Sequence, residues 1–167
     1  MPGPIDYTKI RIVADPDTKE WWEATKQHRY LVRQCKDCEH KWFPPFPACS
    51  KCGSMNLTWM EIKGEGIIHS YVVIEQPILA AFVKAVPYLV AVIELPETRE
   101  KDGSVTRVAG VLLDNEKDVA IGFRVRPEYE ASNDPNMVIP RWKVTAKVPG
   151  AKRFDGTKFV PYEKLSQ

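Results

Sequence analysis

The chain is 167 residues long, enough for one compact domain with a small annex and too short for a large multidomain enzyme. Hydrophobic residues make up 44% and charged residues 28%, the balance of a chain that buries a core. The formal net charge is only +2, with Lys and Arg interleaved among Asp and Glu, so the concentrated basic stripe of a nucleic-acid surface is missing; only the segment with Lys143, Lys147, Lys152, Arg153 and Lys158 is locally basic. The start, Met1-Pro2-Gly3-Pro4-Ile5-Asp6, has neither the basic opening nor the apolar run of a secretory signal, and no apolar stretch has the length of a membrane span, which predicts a cytoplasmic protein.

Asp15-Pro16 offers a capping carboxylate and a proline suited to a first helical position, and with the early acids Asp17 and Glu20 it predicts a helix over 17–27. Trp21, Trp22, Ala24 and Thr25 give that helix an apolar side, for docking on the domain or gripping a partner. Residues 29–34 suit a short strand. From Leu57 onward β-branched and aromatic runs dominate, at 57–62, 67–74, 88–95, 106–113, 123–129 and 142–148, separated by Gly, Pro, Asp and Asn clusters. Gly64-Glu65-Gly66 reads as a hairpin turn, not as a phosphate loop. No helices alternate with these strands, so the prediction is a mainly β chain built on a small antiparallel barrel or sandwich.

All four cysteines fall between 35 and 52, as Cys35-Lys36-Asp37-Cys38 and Cys49-Ser50-Lys51-Cys52. In a chain without an export signal such clustering favours metal ligation over disulfides. Two C-x2-C knuckles with ten residues between them bring four thiolates around one ion, and tetrahedral Zn(II) follows from that ligand set. Rubredoxin-like electron carriers hold iron on similar knuckles, but nothing else in the sequence suggests a redox partner, so zinc is preferred. With four thiolates bound, no position is left for water or substrate, and the ion is structural. Lys36 and Lys51, inside the knuckles, carry charge that favours thiolate over thiol.

The order of features is a Trp-rich helix, Arg33-Gln34-Cys35-Lys36-Asp37-Cys38, Trp42-Phe43-Pro44-Pro45, the second knuckle, Trp59-Met60-Glu61, the Gly64-Glu65-Gly66 turn and a strand centred on Ser70-Tyr71. Together with residues 87–95 and the late Ile121-Gly122-Phe123-Arg124-Val125, it resembles the zinc-ribbon and OB-fold proteins associated with acyl-CoA enzymes, over about residues 17–142. No single string is specific; their order and separations are. The resemblance implies an N-terminal helical segment at 1–30, a rubredoxin-like zinc ribbon at 31–56 with Cys35, Cys38, Cys49 and Cys52 as ligands, a five-stranded OB barrel at 57–148 and a tail at 149–167. It further implies an accessory subunit of a thiolase or thiolase-like lyase, forming a hetero-oligomer and helping to form the passage for the CoA thioester. Glu39 departs from the family, which often has glycine there; this is expected to alter the local turn while leaving ligation possible.

His28, His40 and His69 are joined by no motif to a nucleophile, and His69 and Ser70, adjacent on a strand, point to opposite faces. The connector at 77–87 is almost wholly apolar where a surface loop is normally polar, so it folds back on the barrel or presents a patch to a partner or acyl chain. The tail mixes basic and aromatic residues without a clear element; it is disordered or orders on a partner, where its lysines and arginine meet CoA phosphates. The candidate CoA or partner contacts are Phe43, Pro44, Phe82, Lys84, Lys152, Arg153 and Phe154. The alternative function is a module that stacks single-stranded nucleic acid on an OB barrel.

Overall fold

The computed structural model describes residues 3–133 and 137–165. Met1, Pro2, Ser166 and Gln167, at the ends of the expected N-terminal segment and tail, lie outside the described residues.

Helix α1, Lys19–Lys26, buries Trp21, Ala24 and Thr25, a stripe at helical spacing. It opens later than the proline signal suggested. Residues 16–18 form a turn that Asp15 holds: its carboxylate accepts from the Thr18 amide and hydroxyl, both at 2.8 Å, and its carbonyl accepts from the Lys19 amide. The acid therefore ties the chain into the helix, while Thr18 caps it without a side-chain bond.

Strands β1, Tyr30–Cys35, β2, Lys41–Trp42, and β3, Leu57–Ile62, form one antiparallel sheet in the order β2-β1-β3. β3 pairs with β1 along its whole length, from Tyr30↔Ile62 to Cys35↔Leu57, so this strand extends the cysteine-bearing sheet before residues 63–65 lead into the barrel. Strands β4, Gly66–Ile74, β5, Tyr88–Glu94, β6, Arg107–Leu112, β7, Arg124–Ala131, and β8, Val138–Ala146, close that barrel in the order β4-β5-β6-β8-β7. The five-stranded OB barrel that the resemblance implied is present, antiparallel but for one seam: β6 and β8 run parallel at Leu112↔Trp142, as in the Greek-key barrel of an OB fold. β8 also starts earlier than the expected 142. At Pro140 it has only β7 beside it, and an edge position tolerates the missing N–H.

The barrel forms because its strands alternate. In β5 Leu89, Ala91 and Ile93 are buried while Tyr88, Val90, Val92 and Glu94 are half-buried on the outside. Ile68, Leu95, Val108, Leu112, Phe123, Val125 and Trp142 complete the core, each large apolar side chain contributing about 1.5–3 kcal/mol. Trp142 is 1% exposed and touches the Tyr30 ring at 5.2 Å, so the cysteine-bearing sheet and the barrel share a core.

The tail differs from its expectation of no clear element. Strands β9, Lys152–Phe154, and β10, Phe159–Pro161, form a hairpin; Ile121 and Lys152 exchange backbone hydrogen bonds of 2.8 and 3.0 Å, and Tyr162 packs edge-on against Phe123. These bonds and this ring contact tie the hairpin to the barrel. Among the described residues no helix is long and apolar enough to cross a membrane.

Candidate functional site

Cys35 ends β1 and Cys38 follows one tight turn later, closed by the Glu39 amide donating to the Cys35 carbonyl at 3.0 Å. The second knuckle repeats the device, with the Gly53 amide on the Cys49 carbonyl at 2.8 Å. The residue after each knuckle is left-handed, Gly53 at φ 75° and Glu39 at φ 61°. Glycine adopts that conformation freely and glutamate under strain, which explains what a glycine there would do. The local turn is thus kept with Glu39 in place, in contrast to the expected alteration.

The four sulfurs lie within 4.8 Å of one another, with Cys35–Cys52 and Cys38–Cys49 at 3.6 Å. A tetrahedral Zn(II) with bonds of about 2.3 Å sets sulfur separations of about 3.8 Å, so the cage can hold a metal ion of this kind. Against amide donation from His40 and Ser54, burial and the neighbouring sulfurs push Cys38 up to about 12 and Cys52 above its ordinary value. At Cys35 burial is outweighed by the amide N–H groups of Cys38 and Asp37, which bring the thiol down to about 7, so one of the sulfurs offers a cation its first thiolate. Lys36 is exposed and Lys51 turns away from the sulfurs to Glu100 at 2.9 Å and Asp102 at 3.4 Å, so the backbone, not these lysines, favours the thiolate.

Glu100 is the residue the sequence hid. It comes from the loop between β5 and β6, is 10% exposed, and reaches into the ribbon, where it accepts from His40 Nδ1 at 2.6 Å, the Lys41 amide at 3.0 Å and Lys51 Nζ at 2.9 Å. Burial opposes its ionisation, and the donations of Lys51, the Lys41 amide and His40 prevail, holding its carboxyl below the ordinary carboxylate value. His40 Nε2 also lies 3.4 Å from Ser50 Oγ. That serine–histidine–carboxylate order joins a histidine to a hydroxyl that the sequence did not pair with it. It ties the knuckles together, since His40 lies just after the first and Ser50 inside the second. His28 stacks on Tyr129, and His69 contacts Glu94 at 3.2 Å on the surface.

Two apolar regions flank this centre. Trp21, Trp22, Tyr30, Phe43, Pro44, Pro45, Ala109, Ile139, Pro140 and Trp142, with Thr18, line a cleft of about 320 Å³ between α1, the ribbon and the barrel, with no carboxylate, ammonium or guanidinium in its wall. The other region is the outer face of β4, β5 and β6, where Val72, Val90 and Val111 stand side by side and Val92 pairs with Ala109. The connector continues it: Ala81 and Ala85 fold back and are buried, while Ile78 (95% exposed), Leu79 and Val83 face outward. Part of the connector thus folds back on the barrel, as one expectation had it, and the rest forms an exposed apolar patch.

The sequence candidates fall in three places. Phe43 and Pro44 line the cleft. Phe82 stacks on Tyr88 at 5.1 Å beside the exposed Lys84, next to the apolar face. Lys152, Arg153 and Phe154 lie on β9, where Arg153 is engaged by Glu116 at 3.4 Å and so is not a free cation, while Lys152 and Phe154 are exposed. These three groups are not brought together into one pocket.

A four-thiolate ribbon docked on a five-stranded barrel with a parallel seam between its third and fifth strands defines a zinc-ribbon and OB-fold protein. Residues 22–58 match the rubredoxin-like zinc ribbon domain of ChsH2, and residues 59–130 match the C-terminal OB-fold domain of ChsH2. The chain belongs to this ChsH2 family of DUF35 proteins. It is 34% identical over 124 residues to a protein of Thermomonospora curvata named probable enoyl-CoA hydratase alpha subunit, matching 74% of this chain and 36% of that relative's length. It thus spans about a third of that protein. It is also 30% identical over 111 residues to a DUF35 domain-containing scaffold protein of Methanocaldococcus jannaschii, matching 65% of this chain and 73% of that one. Among solved structures it resembles a chain of the Ltp2-ChsH2(DUF35) aldolase with a TM-score of 0.66 and 31% identity, covering 81% of this chain and all of that chain.

Proposed function

We propose that the chain is an accessory subunit of a thiolase or thiolase-like lyase acting on acyl-CoA thioesters, packing on the catalytic chain and helping to hold the CoA portion while a structural zinc fixes its ribbon. The observation that carries this reading is the apolar outer face of β5 and β6 with the exposed Ile78, Leu79 and Val83 of the adjoining connector. An OB barrel ordinarily takes its ligand on the face of its second and third strands and the loop between its first two, which here are β5, β6 and residues 77–87. A skin of Val90, Val92 and Val111 on that face suits a protein surface. Single-stranded nucleic acid would require aromatic platforms and a basic groove there instead.

The names of the relatives support an assembly role, since they describe a hydratase alpha subunit, a scaffold protein and an aldolase complex. In the assembly the exposed Lys84 and Lys152 supply cations for CoA phosphates, and Phe43, Pro44, Phe82 and Phe154 supply apolar contact. The test is co-expression with the thiolase-like chain encoded nearest to this one, purification through a tag on this chain and assay for CoA-ester cleavage or condensation. The expected result is an active complex that Val90→Asp disrupts. Elution of this chain alone, with no gain in the partner's activity on mixing, overturns the proposal.

A further inference from the structure

One carboxylate carried by a barrel loop contacts both knuckles of the ribbon. Within the loop that carries it, the buried Thr98 hydroxyl donates to the Leu95 carbonyl at 2.7 Å and accepts from the Thr106 amide at 2.8 Å. The turn is closed by the Glu100 amide on the Ser104 carbonyl and the Gly103 amide on the Glu100 carbonyl. This loop delivers Glu100 to donors that flank both knuckles. His40 and Lys41 lie two and three residues after Cys38, Lys51 lies between Cys49 and Cys52, and Ser50 beside Cys49 reaches the same imidazole. A second tie runs alongside, from the Thr106 hydroxyl to the Lys41 carbonyl at 2.9 Å.

The geometry points to Glu100 as a positioning residue for the ribbon's metal, a single carboxylate that holds both knuckles in the ligating arrangement and makes metal occupancy set the order of the barrel loop at residues 96–106. The physical reason is reciprocity. Three donors converge on the carboxylate only while the two knuckles keep their mutual distance, which a shared ion enforces. A group that stabilises the metal-bound arrangement is stabilised by the metal to the same degree. Residues 96–106 join β5 to β6, so the coupling reaches the barrel at the Glu94↔Arg107 end of that strand pair. The inference stands on the ribbon alone and does not require a catalytic partner.

The experiment measures zinc affinity of the full chain by competition with a chromophoric chelator, and amide hydrogen exchange of residues 96–106 with zinc and after chelation. Removing an outer-shell partner typically weakens metal binding by about 10–100-fold, the loss expected for Glu100→Ala. In the unsubstituted chain, chelation is expected to speed exchange in 96–106; in Glu100→Ala it leaves exchange there unchanged. Glu100→Gln, which keeps the shape and one acceptor oxygen, is expected to fall between the two and keeps the test available should the alanine variant fold poorly. Glu97→Ala is the control: Glu97 lies on the same loop but accepts from the Lys63 amide, away from the knuckles, and its loss leaves zinc affinity within about twofold, well short of an outer-shell effect. Zinc binding by Glu100→Ala and Glu100→Gln equal to that of the parent, or exchange in 96–106 indifferent to zinc in the parent, overturns the inference.

Discussion

Gly110→Ala puts the shared core to the test. Gly110 lies on β6 against the ring of Trp142, and a Cβ built on it falls 2.5 Å from Nε1 and closer still to Cδ1. Carbon atoms in real cores do not approach so near, so the ring or the strand has to move. The ring has little room to retreat. Its Cζ3 lies 3.3 Å from the corresponding Cβ position of Gly66, Tyr30 packs on it at 5.2 Å, and its backbone carbonyl accepts from the Leu113 amide at 2.8 Å. Overpacking of this kind costs about 1–3 kcal/mol, more than the few tenths to 1 kcal/mol gained by removing glycine's freedom from the unfolded chain. A net loss of about 1 kcal/mol lowers the midpoint of a chain this size by about 2–4 °C. Thermal unfolding followed by near-ultraviolet circular dichroism reads both the midpoint and the tryptophan packing. An unchanged or raised midpoint with the parent's spectrum would refute the close approach of β6 to Trp142.

Three further outcomes are expected. Glu39→Gly relieves the left-handed backbone after the first knuckle and raises stability by about 1 kcal/mol; a lowered midpoint in the zinc-loaded protein would count against that strain. Cys35→Ser removes a ligand from a ribbon core consisting of little more than Cys35, Trp42 and Cys49, so elemental analysis should find the bound zinc lost while the barrel stays folded; full zinc content would show that the cage is not the site. Burial, aided by the negative Glu130, pushes the Tyr7 phenol up to about 12 despite the nearby Arg141, and burial with Glu61 pushes Tyr129 up to about 12. Because these folded values exceed the ordinary 10.0, the contribution is fully present below pH 10 and is lost as pH rises towards 12. Absorbance titration at alkaline pH checks this, with Tyr7→Phe removing one late step; six tyrosines all titrating near the ordinary value in the folded chain would contradict it.

What the sequence determined by itself was whatever a few neighbouring residues decide. The cysteine spacings define the cage because each knuckle is one turn of chain. Alternation in β5 sorts Leu89, Ala91 and Ile93 inward because a strand turns its side chains over every residue. Asp15 ties the start of α1 through bonds to Thr18 and Lys19, only three and four residues away. Tertiary structure alone decided the rest. β3 pairs with β1 across 57–62, and the parallel β6–β8 seam exists only once the barrel closes. The tail becomes a hairpin because Ile121 offers it a backbone partner and Phe123 a ring to pack on. Glu100, in a charged loop indistinguishable from any solvated turn, becomes the junction of ribbon and barrel because folding brings it to His40, sixty positions earlier in the chain. A carboxylate's role follows from the donors around it, and those donors are set by how the whole chain closes.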